Sequence, residues 1–174
     1  CGSYSKIEGF GFIPVTCFSQ ALTTFIGQNL GAKEYDRTKK GALFGTICGI
    51  GIAEVIGIAV FFFSPYLIAA FGGDQKAIEY GIAEAHTIAL FYCLLAFSHC
   101  MAAIQRGAGR SIVPMFVMML VWCGVRVTYI SIVIRIIPVI NVIYWAYPLT
   151  WFISSVIFLI LFLKTDWIHG LEKQ

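Results

Sequence analysis

The chain has 174 residues, 59% hydrophobic and 12% charged, with a net charge of +3 and a mean hydropathy of +0.85. A soluble domain of this length is nearer half apolar and a quarter charged, and it cannot hide so much apolar side chain beneath a polar surface. Soluble enzymes and binding modules are thereby excluded, no nucleic-acid partner is expected, and the class that remains is an all-α integral membrane protein.

Residue 1 is Cys, and an apolar run begins within about nine residues without the basic start and small-residue cleavage site of a signal peptide. A piece of a longer protein is expected. Crossing a hydrocarbon core takes about 20 helical residues. Five segments qualify, over approximately 9–30, 41–71, 82–104, 112–134 and 142–163.

The first segment has no charge but carries Thr16, Gln20, Thr23 or Thr24, and Gln28 at steps of three or four. A polar stripe on one face cannot look at lipid, so it either bonds to neighbouring helices or lines a water-filled cavity. Pro14 loosens the backbone bonding near the start of this helix. The segment ends in Gly27-Gln28-Asn29-Leu30-Gly31, where Gly27 and Gly31 have close-packing spacing and Gly31 is expected to leave the helical backbone. Lys33, Arg37, Lys39 and Lys40 follow, four of twelve basic residues within eight positions.

In the second segment Gly41, Gly45, Gly49, Ala53 and Gly57 recur every four residues. Such a ridge lets a second backbone approach closely, which is how helices associate in lipid. The segment is longer than one crossing needs, so it is expected to tilt, to kink near Pro65 or to project into water. It also holds Glu54. The fourth segment holds Arg126, and both charges lie about 14 or 15 residues from the same side, at roughly 21–23 Å. Intramembrane charges are costly and mark functional groups or pairs, so Glu54 and Arg126 are a candidate ion pair, with Glu54 also a candidate proton- or cation-responsive carboxylate.

His86, Cys93 and Cys100 share a face of the third segment at spacings of seven, about 10 Å apart, too far for one metal ion. His99 is a candidate titratable group. The six cysteines lie in or beside apolar runs without CxxC spacing and read as buried free thiols. Trp145, Trp151 and Trp167 fall around the fifth segment, two of them suited to the membrane interface. No paired catalytic residues and no nucleotide, hydrolase or metalloprotease motif are present, so no enzyme is expected.

The connections alternate between sides, one with eight basic residues and the other with three. The side rich in Lys and Arg stays in the cytoplasm, which puts the amino end outside, the carboxyl end inside and the basic knot in a cytoplasmic loop.

The phrases KIEGFGFIPV, ALTTFIGQNLGAKEYDRTKKG, LFYCLLAFSHCMAAIQRGAGRSIVPM and VIYWAYPLTWFISSVIFLILFLKTDW, in this order, resemble the carboxyl-terminal half of the MATE (multidrug and toxic compound extrusion) family. The most specific residues are Gly27, Gln28, Asn29, Gly31 and Ala32 with Arg37, then Arg106, Gly107 and Gly109. The resemblance implies a twelve-helix, two-lobe secondary transporter of the plasma membrane. Such proteins export organic cations and amphipathic compounds in exchange for Na⁺ or H⁺. The five segments match helices eight to twelve, so residues 1–174 read as a partial carboxyl-terminal lobe whose partner is the missing amino-terminal lobe. Alone, the chain is expected not to transport. Thr16, Gln20, Thr24 and Gln28 are then candidate cleft-lining residues.

Many members carry a carboxylate in the tenth helix. Here Ala85 to Gln105 contains no Asp or Glu, so no cofactor is expected and the coupling-ion site is placed largely in the missing part. The alternatives are a lipid-linked saccharide flippase of the same superfamily, which wants a more cationic cavity, and a non-transporting membrane subunit.

Overall fold

The computed structural model describes residues 2–70, 75–136 and 141–165, and within them the side chains of all but 2–8, 10, 77, 141 and 142. Helix α1 spans Gly2–Gly31, α2 Tyr35–Ala70, α3 Gln75–Ala89 and α4 Tyr92–Gly107. Then α5 (Ile112–Met118), a π-helical segment (Met119–Val125) and α6 (Arg126–Ile136) form one continuous arm, and α7 (Asn141–Lys164) follows. Among the described residues three helical stretches are long and apolar enough to cross a membrane: Tyr35–Ala70, Ile112–Ile136 and Ile143–Lys164. The pair α3 and α4 supplies a fourth if counted as one span. Over its described residues α1 is not among them, because Gln20, Thr23, Thr24 and Gln28 dilute its apolarity.

Helices α1, α2 and α4 pack mutually, α3 lies on α2 and α7, and α7 closes on α4 and on the arm. The small ridge of α2 makes the tight packing possible. A Cβ at Gly45 would reach within 2.6 Å of Leu22, and one at Gly49 within 2.6 Å of Cys100 Sγ and 3.2 Å of Phe18. Gly41 lies under the ring of Phe25, and Ala53 is fully buried. The ridge therefore serves two neighbours in succession, α1 first and then the α3–α4 corner, where Gly57 meets Ala89 O.

The carboxyl ends of α1 and α4 close in the same way. At the end of α4, Arg110 N–H donates to Gln105 O (2.9 Å) and Gly109 N–H to Arg106 O (3.0 Å), with Gly109 at φ 77°. At the end of α1, Glu34 N–H donates to Asn29 O (2.9 Å) and Lys33 N–H to Leu30 O (3.0 Å). These paired bonds are Schellman ends, which normally place glycine in the left-handed position. At the first end that residue is Lys33, φ 60°, and not Gly31, which remains helical with open space around it. The expected Gly27–Gly31 packing pair is thus only half realised: a Cβ at Gly27 would stand 3.5 Å from Gly107 O, and one at Gly31 would meet nothing.

The turn is so short that α2 begins at Tyr35. Arg37, Lys39 and Lys40 are therefore exposed side chains on the first turns of a helix, not loop residues as expected. At its far end α2 continues through Pro65. Proline has no N–H to give Phe61 O, four residues back. His86 of α3 takes that place, with Nε2 3.0 Å from Phe61 O and its ring stacked on Phe61 at 4.2 Å between centroids, and Ser64 Oγ adds a longer bond of 3.4 Å. Because the oxygen only accepts, Nε2 carries the proton.

The third segment is not one helix. It bends by 54° between α3 and α4. The shared face of His86, Cys93 and Cys100 survives the bend because all three lean on α2, beside Phe61, Glu54 and Gly49 respectively. Thiol burial is uneven: Cys100 is buried, Cys48 and Cys93 are half-buried, and Cys17 and Cys123 are exposed, against the expectation of uniformly buried thiols. Cys1 and Trp167 lie outside the described residues. Trp145 is exposed as an interfacial residue would be, whereas Trp151 is 1% exposed and stacks on Tyr92.

Candidate functional site

The stripe on α1 divides. Thr23 turns inward and donates to Ser19 O (3.0 Å) and Ala103 O (3.3 Å), tying α1 to α4. Gln20, Thr24 and Gln28 are exposed and Thr16 is half-buried. Among the described residues the hydroxyls of Thr16 and Thr24 bond only to their own helix, at Ile13 O (2.8 Å) and Gln20 O (3.2 Å). This face therefore offers amide and hydroxyl groups to whatever lies beside it, and lipid cannot answer them.

Behind the face, side chains from five elements meet. Phe12 of α1 sets its edge against His99 of α4 (5.1 Å) and Trp122 of the π segment (6.4 Å), and His99 and Trp122 meet edge-on at 5.5 Å. Arg126 follows directly after the π segment. Its guanidinium lies 4.2 Å from the ring centre of Tyr147 and 5.7 Å from that of Trp122, and it donates to Thr150 Oγ1 at 2.9 Å. A π-helical turn widens the helix by one residue per turn and re-aims the side chains that follow it. Here it brings Trp122 and Arg126 onto one inward side. His99 Nε2 and Trp122 Nε1 are buried without a hydrogen-bond partner among the described residues.

The expected Glu54–Arg126 pair is not formed. Glu54 is half-buried beside the Cys93 thiol, on a helix that packs with α1, α3 and α4, while Arg126 faces α7. Matched depth fixes height in the membrane but not direction around the bundle. The most buried carboxylate among the described residues is instead Glu84 of α3, 4% exposed, an electrostatic neighbour of Tyr144. The stretch from Ala85 onward misses it by one residue. The available signal was its place between Ala83 and Ala85, inside the expected 82–104 span.

The motif residues do architectural work. A Cβ at Gly107 would stand 2.7 Å from Ile26 Cβ and from Thr23 O, so only glycine lets α4 lie this close to α1. Arg106 donates to Ser19 Oγ (3.0 Å), and Asn29 Nδ2 donates to Phe25 O (2.7 Å). Gln28, Ala32 and Arg37 are exposed. A second seam joins α4 to α7, where buried Ser98 Oγ lies 2.9 Å from both Ser154 Oγ and Ser155 Oγ, and Ser155 donates to Leu94 O (3.1 Å). Among the described residues no group of three His, Cys, Asp or Glu side chains is arranged to hold a metal ion.

Comparison with known proteins agrees with these motifs. A probable multidrug resistance protein NorM of Thermotoga maritima is 29% identical over 112 residues, which are 64% of this chain and 24% of that protein. The chain thus spans about a quarter of the length of that relative. The MatE family profile matches residues 2–132, most of the chain, and this helical, multi-pass membrane protein belongs to the MatE family.

Proposed function

We propose that the chain is part of the carboxyl-terminal lobe of a secondary active transporter that exports organic cations or amphipathic compounds in exchange for Na⁺ or H⁺. The observation that carries this reading is the exposed face of Gln20, Thr24 and Gln28, with Thr16 at its edge, on a helix whose other side is closely packed. A face of uncharged hydrogen-bonding groups with apolar Ile13 and Ala21 beside them suits amphipathic cargo of varied shape. The missing lobe supplies the opposite wall and lipid surrounds the rest. The chain sits in the plasma membrane with its amino end outside.

The flippase reading needs a cationic cavity for a pyrophosphate-linked substrate. Arg126 is engaged with Thr150, Tyr147 and Trp122, which counts against it. The non-transporting subunit has no observation in its favour. The test is efflux of a fluorescent organic cation from vesicles holding the transporter, with Na⁺ and pH gradients varied separately. Export driven by either gradient, with altered substrate preference in Gln20→Ala and Thr24→Ala, is expected. No gradient-driven export would defeat the reading.

A further inference from the structure

We infer that the groove between α2, α4 and α7 seats an acyl chain of an anionic phospholipid, with the headgroup phosphate against Lys39. Among the described residues α2 and α7 both pack on α4 and scarcely meet one another, so α4 is left as the floor of an open furrow. The cavity there measures about 500 Å³, within the range of roughly 300–1,000 Å³ that holds a drug-sized molecule. Phe97, Met101 and Ile104 form its floor, and Leu43 of α2 and Leu163 of α7 form its rims. Lys39 is the single charged residue among those that line it.

Hydrocarbon is the content this lining suits. The one side-chain hydroxyl in it, that of Thr46, already donates to Ala42 O at 2.8 Å, so a guest rich in hydrogen-bonding groups would leave them unanswered. A second helix seats in lipid through small residues or polar bonds, and the exposed rims, Leu43 and Leu163, supply neither. No residue of α1 lines the groove, which separates it from the polar face proposed for cargo. An amphipathic cation would also meet Lys39 with like charge.

Charge decides which lipid. Lys39 stands on the second turn of α2, and Thr46 lies seven residues further along, about 10 Å deeper. The groove thus opens at the basic end of the bundle and runs inward. Lys164 ends α7 directly after Leu163, so both rims carry a basic residue at the mouth. The helix ends at 33–40, 106–110 and 164 together carry seven basic residues against the acidic Glu34 and Asp36. Basic pockets between membrane helices hold anionic headgroups, each Lys or Arg near the surface favouring them roughly fivefold. A zwitterionic headgroup brings its own cation to the same place and gains less. The site stands on this charge complementarity and does not depend on the export reading.

The experiment places the purified transporter in nanodiscs with phosphatidylglycerol or phosphatidylcholine carrying a diazirine on the acyl chain, and reads the labelled peptides by mass spectrometry. Labelling is scored relative to the exposed residues Val55, Ile58 and Phe62 of the same helix, which any lipid can reach. Phosphatidylglycerol is expected to label 39–46, 97–104 and 159–163 roughly fivefold more than phosphatidylcholine does. Lys39→Gln is expected to remove that preference and leave phosphatidylcholine labelling unchanged. Leu43→Trp, which fills the mouth from an exposed position, is expected to reduce labelling by both lipids. Both variants alter exposed side chains, so folding is not at risk. Equal labelling by the two lipids, a preference that survives Lys39→Gln, or labelling indifferent to Leu43→Trp overturns the site. So does a groove that no lipid labels, which would mean that another part of the polypeptide fills it.

Discussion

The wall of α1, α2 and α4 and the arm of α5, the π segment and α6 are built on opposite plans. In the wall, glycines bring backbones together: Gly45, Gly49 and Gly107 leave no room for a methyl group, and α4 buries an unbroken run from Cys100 to Gln105. In the arm, α6 has no buried residue, Gly124 has open space around it, and attachment runs through Pro114, Val117 and Met118 of α5 and through Val121, Trp122 and Arg126. Without a hydrophobic drive between helices in lipid, contact must come from close fit or from polar bonds. The wall relies on close fit, with the Thr23 and Arg106 bonds added to it, whereas the arm has no such backbone approach and adds the Arg126 bond to side-chain packing. An element that slides or tilts must be of the arm's kind, because interlocked backbones have few alternative seats.

Glycine replacement is the strongest way to test this contrast. Gly107→Ala places a methyl against Ile26 and the Thr23 carbonyl and is expected to cost about 3 kcal/mol, read as lost thermal stability in detergent. Gly124→Ala in the arm is expected to be neutral or to stabilise by about 0.5 kcal/mol, since it improves helix propensity in open space. Equal losses at the two positions would abolish the distinction.

Next in size is Arg126→Ala, which removes the Thr150 bond and the stacking on Tyr147, at about 2 kcal/mol. Its mark should be local: faster hydrogen exchange in residues 119–136 with α1 and α4 unchanged. Ser98→Ala cuts the hydroxyl seam between α4 and α7 and is expected to cost about 1 kcal/mol, with melting as the measurement. The smallest change has the opposite sign. Lys33→Gly relieves the left-handed backbone at the end of α1 and should raise stability by about 0.5–1 kcal/mol, provided the Schellman bonds persist.

Much of the wall was legible because its signals are periodic. The ridge from Gly41 to Gly57 and the stripe from Thr16 to Gln28 are read from spacing, and the helix faces follow. The break after Ala89 was not legible, since Ala-Leu-Phe-Tyr-Cys contains neither Gly nor Pro. The π segment holds only Gly124, which marks no break by itself. Pro65 did announce trouble, but nothing in the chain tells that His86, twenty-one positions on, answers it. For the site, Glu54 and Arg126 were found as expensive residues and then paired wrongly. Hydropathy ranks depth and says nothing about which way a side chain points. Glu84 escaped because it lies at the rim of an apolar stretch, where a carboxylate looks like the edge of a loop.

The bond from His86 to Phe61 O has a consequence for how such a chain can change over generations. The two positions that matter are Pro65 and His86, on different helices, and neither substitution is independent of the other. If Pro65 is replaced first by a residue with an N–H, the helix recovers its own bond and position 86 is released to drift. If His86 is lost first, the carbonyl is left with only the long Ser64 contact, and the lineage carries that defect until the proline goes too. The order of substitution is thereby biased, and relatives lacking a donor at position 86 should be those that have already abandoned the proline.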